Sequence, residues 1–275
     1  MTVFELNKVS TCDELIKSTP TKDHYDIVIN SDTIFTKQGK PVGLYIQVPK
    51  SEVHEIRNAC LTTNYVKTYR TRKALPTQSS VFGSLPRIPL RNDYCRYSQQ
   101  TKTERNNANR LFAFQKTLLG IYNEHLPNNL KLDTKKVIEQ VNNDYLLVDS
   151  SPFATANINV NHAIKYHRDT GNFKGNLSNV LILRDGIIGG ELVFPEYRFA
   201  LAQEDGYLAI FDGQSEIHGV MPIKQVKEKP YRASIVYYTL ENMKHCYPFK
   251  MEVERLQQLT TERAYKRAKG IDPRG

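Results

Sequence analysis

From about residue 146 the chain settles into a period of two. Residues 153–161 alternate in side-chain type, as a half-buried strand does. Further short strands are expected over 177–183, 191–194, 198–201, 207–211, 218–223 and 232–238. Gly189-Gly190, Glu204-Asp205-Gly206 and Asp212-Gly213 supply turns between them. Many short strands with turn residues between them predict a closed or double-sheet antiparallel architecture.

The first half of the chain reads differently. A short helix is expected near residues 13–16, and strands over 26–30 and 43–48, the second ended by Pro49. Ser51 is suited to cap a helix that carries Val53, Ile56 and Ala59 on one side. The longest helix is expected over 102–125, with Leu111, Phe112, Phe114, Leu118, Leu119 and Tyr122 on its apolar side. Asp133 or Thr134 opens another, carrying Val137, Ile138 and Val141. Such helices back a sheet, so their aromatic residues belong to the core. A last helix over 252–269 has Val253, Leu256 and Leu259 on its apolar side, basic residues in its final turns, and Gly270 as its stop.

Residues 67–100 fit neither rhythm. Lys67, Arg70, Arg72, Lys73, Arg87, Arg91 and Arg96 are interleaved with Tyr65, Tyr69, Phe82, Tyr94 and Tyr97. Pro76, Gly83, Pro86 and Pro89 argue for an irregular loop. Mixed cationic and aromatic side chains suit phosphate contact and base stacking, and equally suit a solvated surface loop.

Composition narrows the classes. The 275 residues carry a formal net charge of +9, which favours an anionic partner. No apolar run approaches the ~18 residues of a membrane span. The first residues lack a secretory pattern, so an intracellular protein of nucleus or cytoplasm, without a membrane partner, is expected. Cys12, Cys60, Cys95 and Cys246 are scattered, with no Cys-x-x-Cys pair, and are expected as reduced thiols.

The chemistry concentrates in His167-Arg168-Asp169. A His and an Asp two apart on a turn each offer one ligand atom to one metal ion, and His218 is placed to bring a second imidazole from far along the chain. Two imidazoles and a carboxylate on one face of an octahedron leave positions open, as in non-haem Fe(II) oxygenases. A 2-oxo acid co-substrate chelates such a metal at one end and leaves a carboxylate at the other. That carboxylate calls for a planar cationic fork, which Arg232 supplies, with the Ser234 hydroxyl two residues on along the same strand face. The order His-x-Asp, distant His, Arg-x-Ser is more specific than any one part. A zinc hydrolase also uses two His and one carboxylate, but leaves Arg232 and Ser234 without a role. A surface His beside Asp169 and a structural Arg232 form the bland alternative.

These motifs, with Gly189-Gly190-Glu191-Leu192 and Asp205-Gly206-Tyr207-Leu208, resemble the Fe(II)/2-oxoglutarate dioxygenases. Phe211-Asp212-Gly213, His218 to Pro222, and upstream Phe82-Gly83-Ser84, Pro86-Arg87, Arg91 and Asp93-Tyr94-Cys95 look most like the TET/JBP branch. The resemblance implies an α+β fold with a double-stranded β-helix (jelly-roll) core backed by N-terminal helices. It implies a single dioxygenase domain over 1–275: strands, basic loop and helices over 1–145, the iron-bearing core over 146–245, and a basic helix over 246–275. It implies His167, Asp169 and His218 as Fe(II) ligands, Arg232 as the 2-oxoglutarate partner, and O2 as the oxidant. The expected reaction oxidises the 5-methyl group of thymine or 5-methylcytosine in DNA, releasing succinate and CO2. Some members place a base-facing His past the Arg strand, where Thr239 and Leu240 stand here, so the base is left open. Phe82, Arg87, Arg91 and Asn92 are the candidate substrate contacts. The alternative is the same chemistry on a prolyl or lysyl side chain or a small molecule; no protein partner is inferred.

Overall fold

A computed structural model describes residues 1–68, 77–88 and 93–272. Tyr69, Arg70, Arg72, Lys73, Pro76, Pro89, Arg91 and Asn92, all singled out above, lie outside the described residues.

The period-two pattern does become sheet. Among the described residues a ten-stranded sheet runs in the order Thr2–Glu5, Thr33–Lys37, Lys40–Gln47, Tyr207–Phe211, Ser178–Asp185, Tyr231–Tyr238, Thr155–Val160, Thr77–Leu85 and Val66–Thr68, with Arg96–Tyr97 pairing off this path. A four-stranded sheet has the order Gly219–Val220, Leu192–Phe194, Phe199–Leu201, Ile27–Ile29. Successive side chains in a strand point to opposite faces, and the buried residues obey that rule. Leu208 and Ile210 enter a core shared with helices α1 (Lys50–Thr62) and α3 (Arg105–His125). Ala209 and Phe211, between and beside them, enter a second core with Leu192, Phe194, Phe199 and Val220 of the small sheet. The large sheet is therefore covered by helices on one face and by the small sheet on the other. Leu111, Phe114 and Leu118 of α3 are fully buried, as the helical spacing requires.

Several local expectations shift. The helix expected from residue 102 is two, α2 (Gln99–Thr103) and α3, broken at Glu104 where the backbone leaves the helical region. The helix expected to open at 133 or 134 begins earlier, as α4 (Asn128–Gln140). The irregular stretch 67–100 contains a central strand, Thr77–Leu85, which pairs antiparallel with Thr155–Val160. Its alternate residues Ser80, Phe82 and Ser84 are buried. Ser84 Oγ donates to the Tyr145 carbonyl at 2.8 Å, and Thr155 Oγ1 donates to the Ser84 carbonyl at 2.9 Å. Counting apolar residues does not register a strand that has serines at two of its buried positions.

The C-terminal helix α5 (Phe249–Ala268) is held in an unexpected way. Its expected apolar residues Val253, Leu256 and Leu259 are only partly covered, and its buried residue is Glu252. Both Glu252 oxygens accept from Arg87, one also accepts from the Cys95 amide and the other from the Tyr247 amide, each amide at 3.0 Å. Arg255 and Arg263 pair with Asp93 at 3.0 and 2.6 Å. At the root of this helix Cys95 and Cys246 form a disulfide across 151 positions of sequence, which corrects the expectation of four reduced thiols. Cys12 and Cys60 are free and buried. The pairing is invisible in sequence because the fold, not local spacing, brings the two cysteines together. Among the described residues no helix is long and apolar enough to cross a membrane.

Burial works to raise the Glu252 pKa, but Arg87 and the Tyr247 and Cys95 amides outweigh it and hold the carboxyl below its ordinary 4.5. A depressed carboxyl stabilises the fold above its ordinary value and loses that contribution as the pH falls toward the folded-state value. Docking of α5 is thus expected to weaken below about pH 4.5, seen as lost amide-exchange protection over 249–268 ahead of the sheet. Glu252→Ala leaves Arg87 and two amides without their acceptor. It is expected to cost about 3 kcal/mol in urea unfolding, in line with removing one partner of a buried ion pair.

Candidate metal centre

His167 and His218 face each other as an isolated antiparallel bridge, reciprocally bonded through the backbone at 2.9 and 3.0 Å. That pairing brings their imidazoles side by side, with ring centroids 4.3 Å apart. Two residues past His167 the chain is pinned again, where the Asp169 amide donates to the Gly213 carbonyl at 2.7 Å. The intervening Arg168 turns outward, to the Ser215 carbonyl and to Asp13. His167 and Asp169 thus share one side. Asp169 Oδ1 lies 3.4 Å from His167 Nε2 and 3.7 Å from His218 Nε2. One ligand atom from each of the three residues falls within 4.8 Å of the others.

The tautomers suit a cation. His167 Nδ1 is 2.9 Å from the Lys165 carbonyl and His218 Nδ1 is 3.0 Å from the Glu216 carbonyl. A carbonyl only accepts, so each Nδ1 carries a proton, and Nε2 is the ring atom that faces Asp169 and binds a cation once its own proton is released. Burial pushes the Asp169 carboxyl up, but hydrogen bonds with His167, His218 and Ser178 overcome it and hold it well below the usual range. Burial pulls His167 down, and Asp169 with the Lys165 carbonyl more than reverses this. An ionised carboxylate between two imidazole Nε2 atoms is the donor set that Fe(II) takes on one face.

Two supporting residues escaped the sequence reading. Ser178 Oγ donates to Asp169 Oδ2 at 2.5 Å, orienting the carboxylate. Gly213 stands against the same oxygen, and a Cβ there would overlap both Asp169 Oδ2 and Ser178 Oγ. Asp212-Gly213 was legible as a strand break, but the space it keeps for Asp169 is a tertiary property.

A cavity of about 380 Å³ opens beside the three residues and is also lined by Arg232, Ser234, Gln203, Asn157, Asn159 and Tyr238. Arg232 is 1% exposed. Its guanidinium donates to Gln203 Oε1 at 3.0 Å and to the His162 carbonyl at 3.4 Å, and its Nε has no hydrogen-bond partner among the described residues. Burial, helped by nearby Arg184, lowers its pKa to about 10, so it stays cationic at neutral pH. A buried cation bonded only to neutral oxygens is poorly compensated and calls for an anion. Ser234 is on the same strand face, with the helix-facing Ala233 between them.

Of the expected substrate residues, Phe82 and Arg87 are not brought to this cavity. Phe82 is fully buried in the helix-facing core, because its position in the strand register points it toward α3. Arg87 clasps Glu252 and lies over the Tyr247 ring, 4.7 Å from its centroid. Its charge is used to dock α5.

Comparison with known proteins bears on the same region. Residues 89–241 match the Tet_JBP family, described as the oxygenase domain of the 2OGFeDO superfamily. Over 153 residues the chain is 28% identical to a Trypanosoma brucei brucei (strain 927/4 GUTat10.1) protein named bifunctional helicase and thymine dioxygenase JBP2. That match takes 54% of this chain and only 14% of the trypanosome protein. The solved structure of NgTET1 in complex with 5mC DNA superposes with a TM-score of 0.62 at 12% identity, covering 94% of this chain and 90% of that one. At this identity the likeness is one of fold.

Gly213→Ala is expected to weaken Co(II) or Mn(II) binding about tenfold or more, the usual cost of disturbing a ligand's support. Equilibrium dialysis of the variant, with circular dichroism to confirm an unchanged fold, makes the measurement. Unaltered affinity would show that Asp169 does not depend on that space.

Proposed function

Since the chain belongs to the Tet_JBP family of 2OGFeDO-superfamily oxygenases, we propose that it oxidises the 5-methyl group of a pyrimidine in DNA. The observation that carries this reading is one cavity holding both a two-His, one-carboxylate cluster and a buried arginine with no ion pair among the described residues. The first takes Fe(II), the second takes the distal carboxylate of 2-oxoglutarate. In this reading the facing sheets are the two halves of a double-stranded β-helix. DNA as the substrate is supported by the family and by the named relatives, one a thymine dioxygenase and one solved with 5mC DNA.

Bound together, Fe(II), 2-oxoglutarate and O2 supply an oxidant able to convert a methyl C–H to C–OH, with succinate and CO2 released. The chain's own residues set the stage for that chemistry. With each Nδ1 committed to a carbonyl, His167 and His218 offer Nε2 to the cation. Asp169 contributes the anionic ligand, oriented by Ser178. Arg232, with Ser234 beside it, anchors the keto acid at its far end. Val180, Val236 and Leu192 give the cavity apolar wall, which limits the water reaching the reacting methyl. A pyrimidine reaches such a cavity only after leaving the base stack. Of the expected substrate contacts, Arg91 and Asn92 lie outside the described residues.

The test is mass spectrometry of nucleosides from DNA treated with the protein and Fe(II), using thymine-only and 5-methylcytosine-containing duplexes. A hydroxymethyl nucleoside is expected when 2-oxoglutarate is present and not when it is withheld. Asp169→Ala is expected to abolish it, while leaving DNA binding intact. Succinate release with every DNA unchanged would move the substrate to a protein side chain or a small molecule.

A further inference from the structure

We infer that Gln203 is a second donor to the distal carboxylate of the keto-acid co-substrate and fixes the site's preference for a dicarboxylate. The inference rests on the reading of Arg232 above. Gln203 is 1% exposed, lines the cavity, and has a backbone φ of +58. A long side chain in the left-handed region is uncommon, and persists where surrounding structure enforces it. Arg184 does so: its Nη1 donates to the Ala202 and Gln203 carbonyls, each at 3.3 Å, and its Nη2 to the Ile187 carbonyl at 2.5 Å.

The orientation of the amide follows from its neighbour. Arg232 Nη2 lies 3.0 Å from Gln203 Oε1, and a guanidinium has only donors, so the amide oxygen must face it. The amide nitrogen is then directed elsewhere. Nε2 of Gln203 is sealed from water with no partner among the described residues, and so is Nε of Arg232. A buried donor left unmet is costly and uncommon, and two on adjoining side chains are rarer still. Gly190 keeps the space beside the second clear: a Cβ there would sit 2.9 Å from Arg232 Nε. A carboxylate has lone pairs enough for both nitrogens, and a neutral tail on a 2-oxo monoacid has none.

Calorimetric titration with Mn(II) present and oxygen excluded tests this without turnover. The probes are 2-oxoglutarate and 2-oxobutyrate, which lacks the distal carboxylate. Gln203→Met, close in shape but without a donor, is expected to weaken 2-oxoglutarate binding about tenfold or more. Its affinity for 2-oxobutyrate is expected to stay as in the unmodified protein, which also certifies the fold. Gln203→Glu is expected to raise the melting temperature, because its carboxylate pairs with Arg232, and to remove 2-oxoglutarate binding. A merely structural Gln203 would move both ligands together. If the unmodified protein binds no 2-oxoglutarate, the reading of Arg232 fails and this inference with it. If it binds and Gln203→Met binds equally well, the inference alone is overturned.

Discussion

Strand Tyr231–Tyr238 is paired along nearly its whole length on both sides, with Ser178–Asp185 and with Thr155–Val160. A slip of one residue would drive Arg232 into the helix-facing core and Tyr237 into the cavity, because side-chain direction has a period of two. Ala233, Ile235 and Tyr237 are packed against the helix layer, and Tyr237 donates to the Leu111 carbonyl of α3 at 2.9 Å. The register that satisfies this apolar face also delivers Arg232, Ser234, Val236 and Tyr238 to the cavity. The site is thus held in place by hydrophobic burial on the reverse side of the same strand. The helices take no part in the site, yet their packing decides which residues face it.

Within the cavity, charge is handled in two ways. Asp169 is matched by the two imidazoles and Ser178, which together outweigh the burial opposing its ionised form. Among the described residues Arg232 hydrogen-bonds to neutral oxygens and forms no ion pair. The first arrangement fixes a ligand geometry in advance, which spares reorganisation when a cation enters. The second leaves an electrostatic demand for the incoming anion to meet. A buried ion pair within the protein would have stabilised the empty fold, but it would also have competed with that anion. The asymmetry suits a site that retains its cation and exchanges its anionic ligand.

The cluster was legible because both its ligand pair and its distant partner stand in recognisable local settings, a His-x-Asp on a turn and a His ahead of Gly219. Arg-x-Ser was legible because period two places both residues on one face. Gln203 was not, since nothing in Leu201-Ala202-Gln203-Glu204 reveals a left-handed backbone or a guanidinium 3.0 Å away. Phe82 was misread for a related reason. Its setting among Arg and Tyr residues suggested a contact surface, whereas buried serines on either side had already committed the segment to sheet.

Net charge was the weakest guide, and the reason is physical. Basic residues counted in that charge are partly spent inside the molecule: Arg87 on Glu252, and Arg255 and Arg263 on Asp93. Arg57, Arg168 and Arg198 are likewise paired, with Asp205, Asp13 and Asp26. A guanidinium bonded to a carboxylate adds little to the field seen by a polyanion, since the pair is near neutral beyond a Debye length of about 8 Å. A surplus of +9 over the whole chain therefore does not locate a nucleic-acid surface. The case for DNA stands on the family and the named relatives. The C-terminal helix is fastened to the body by its own Glu252 on Arg87 and by Asp93 on its Arg255 and Arg263.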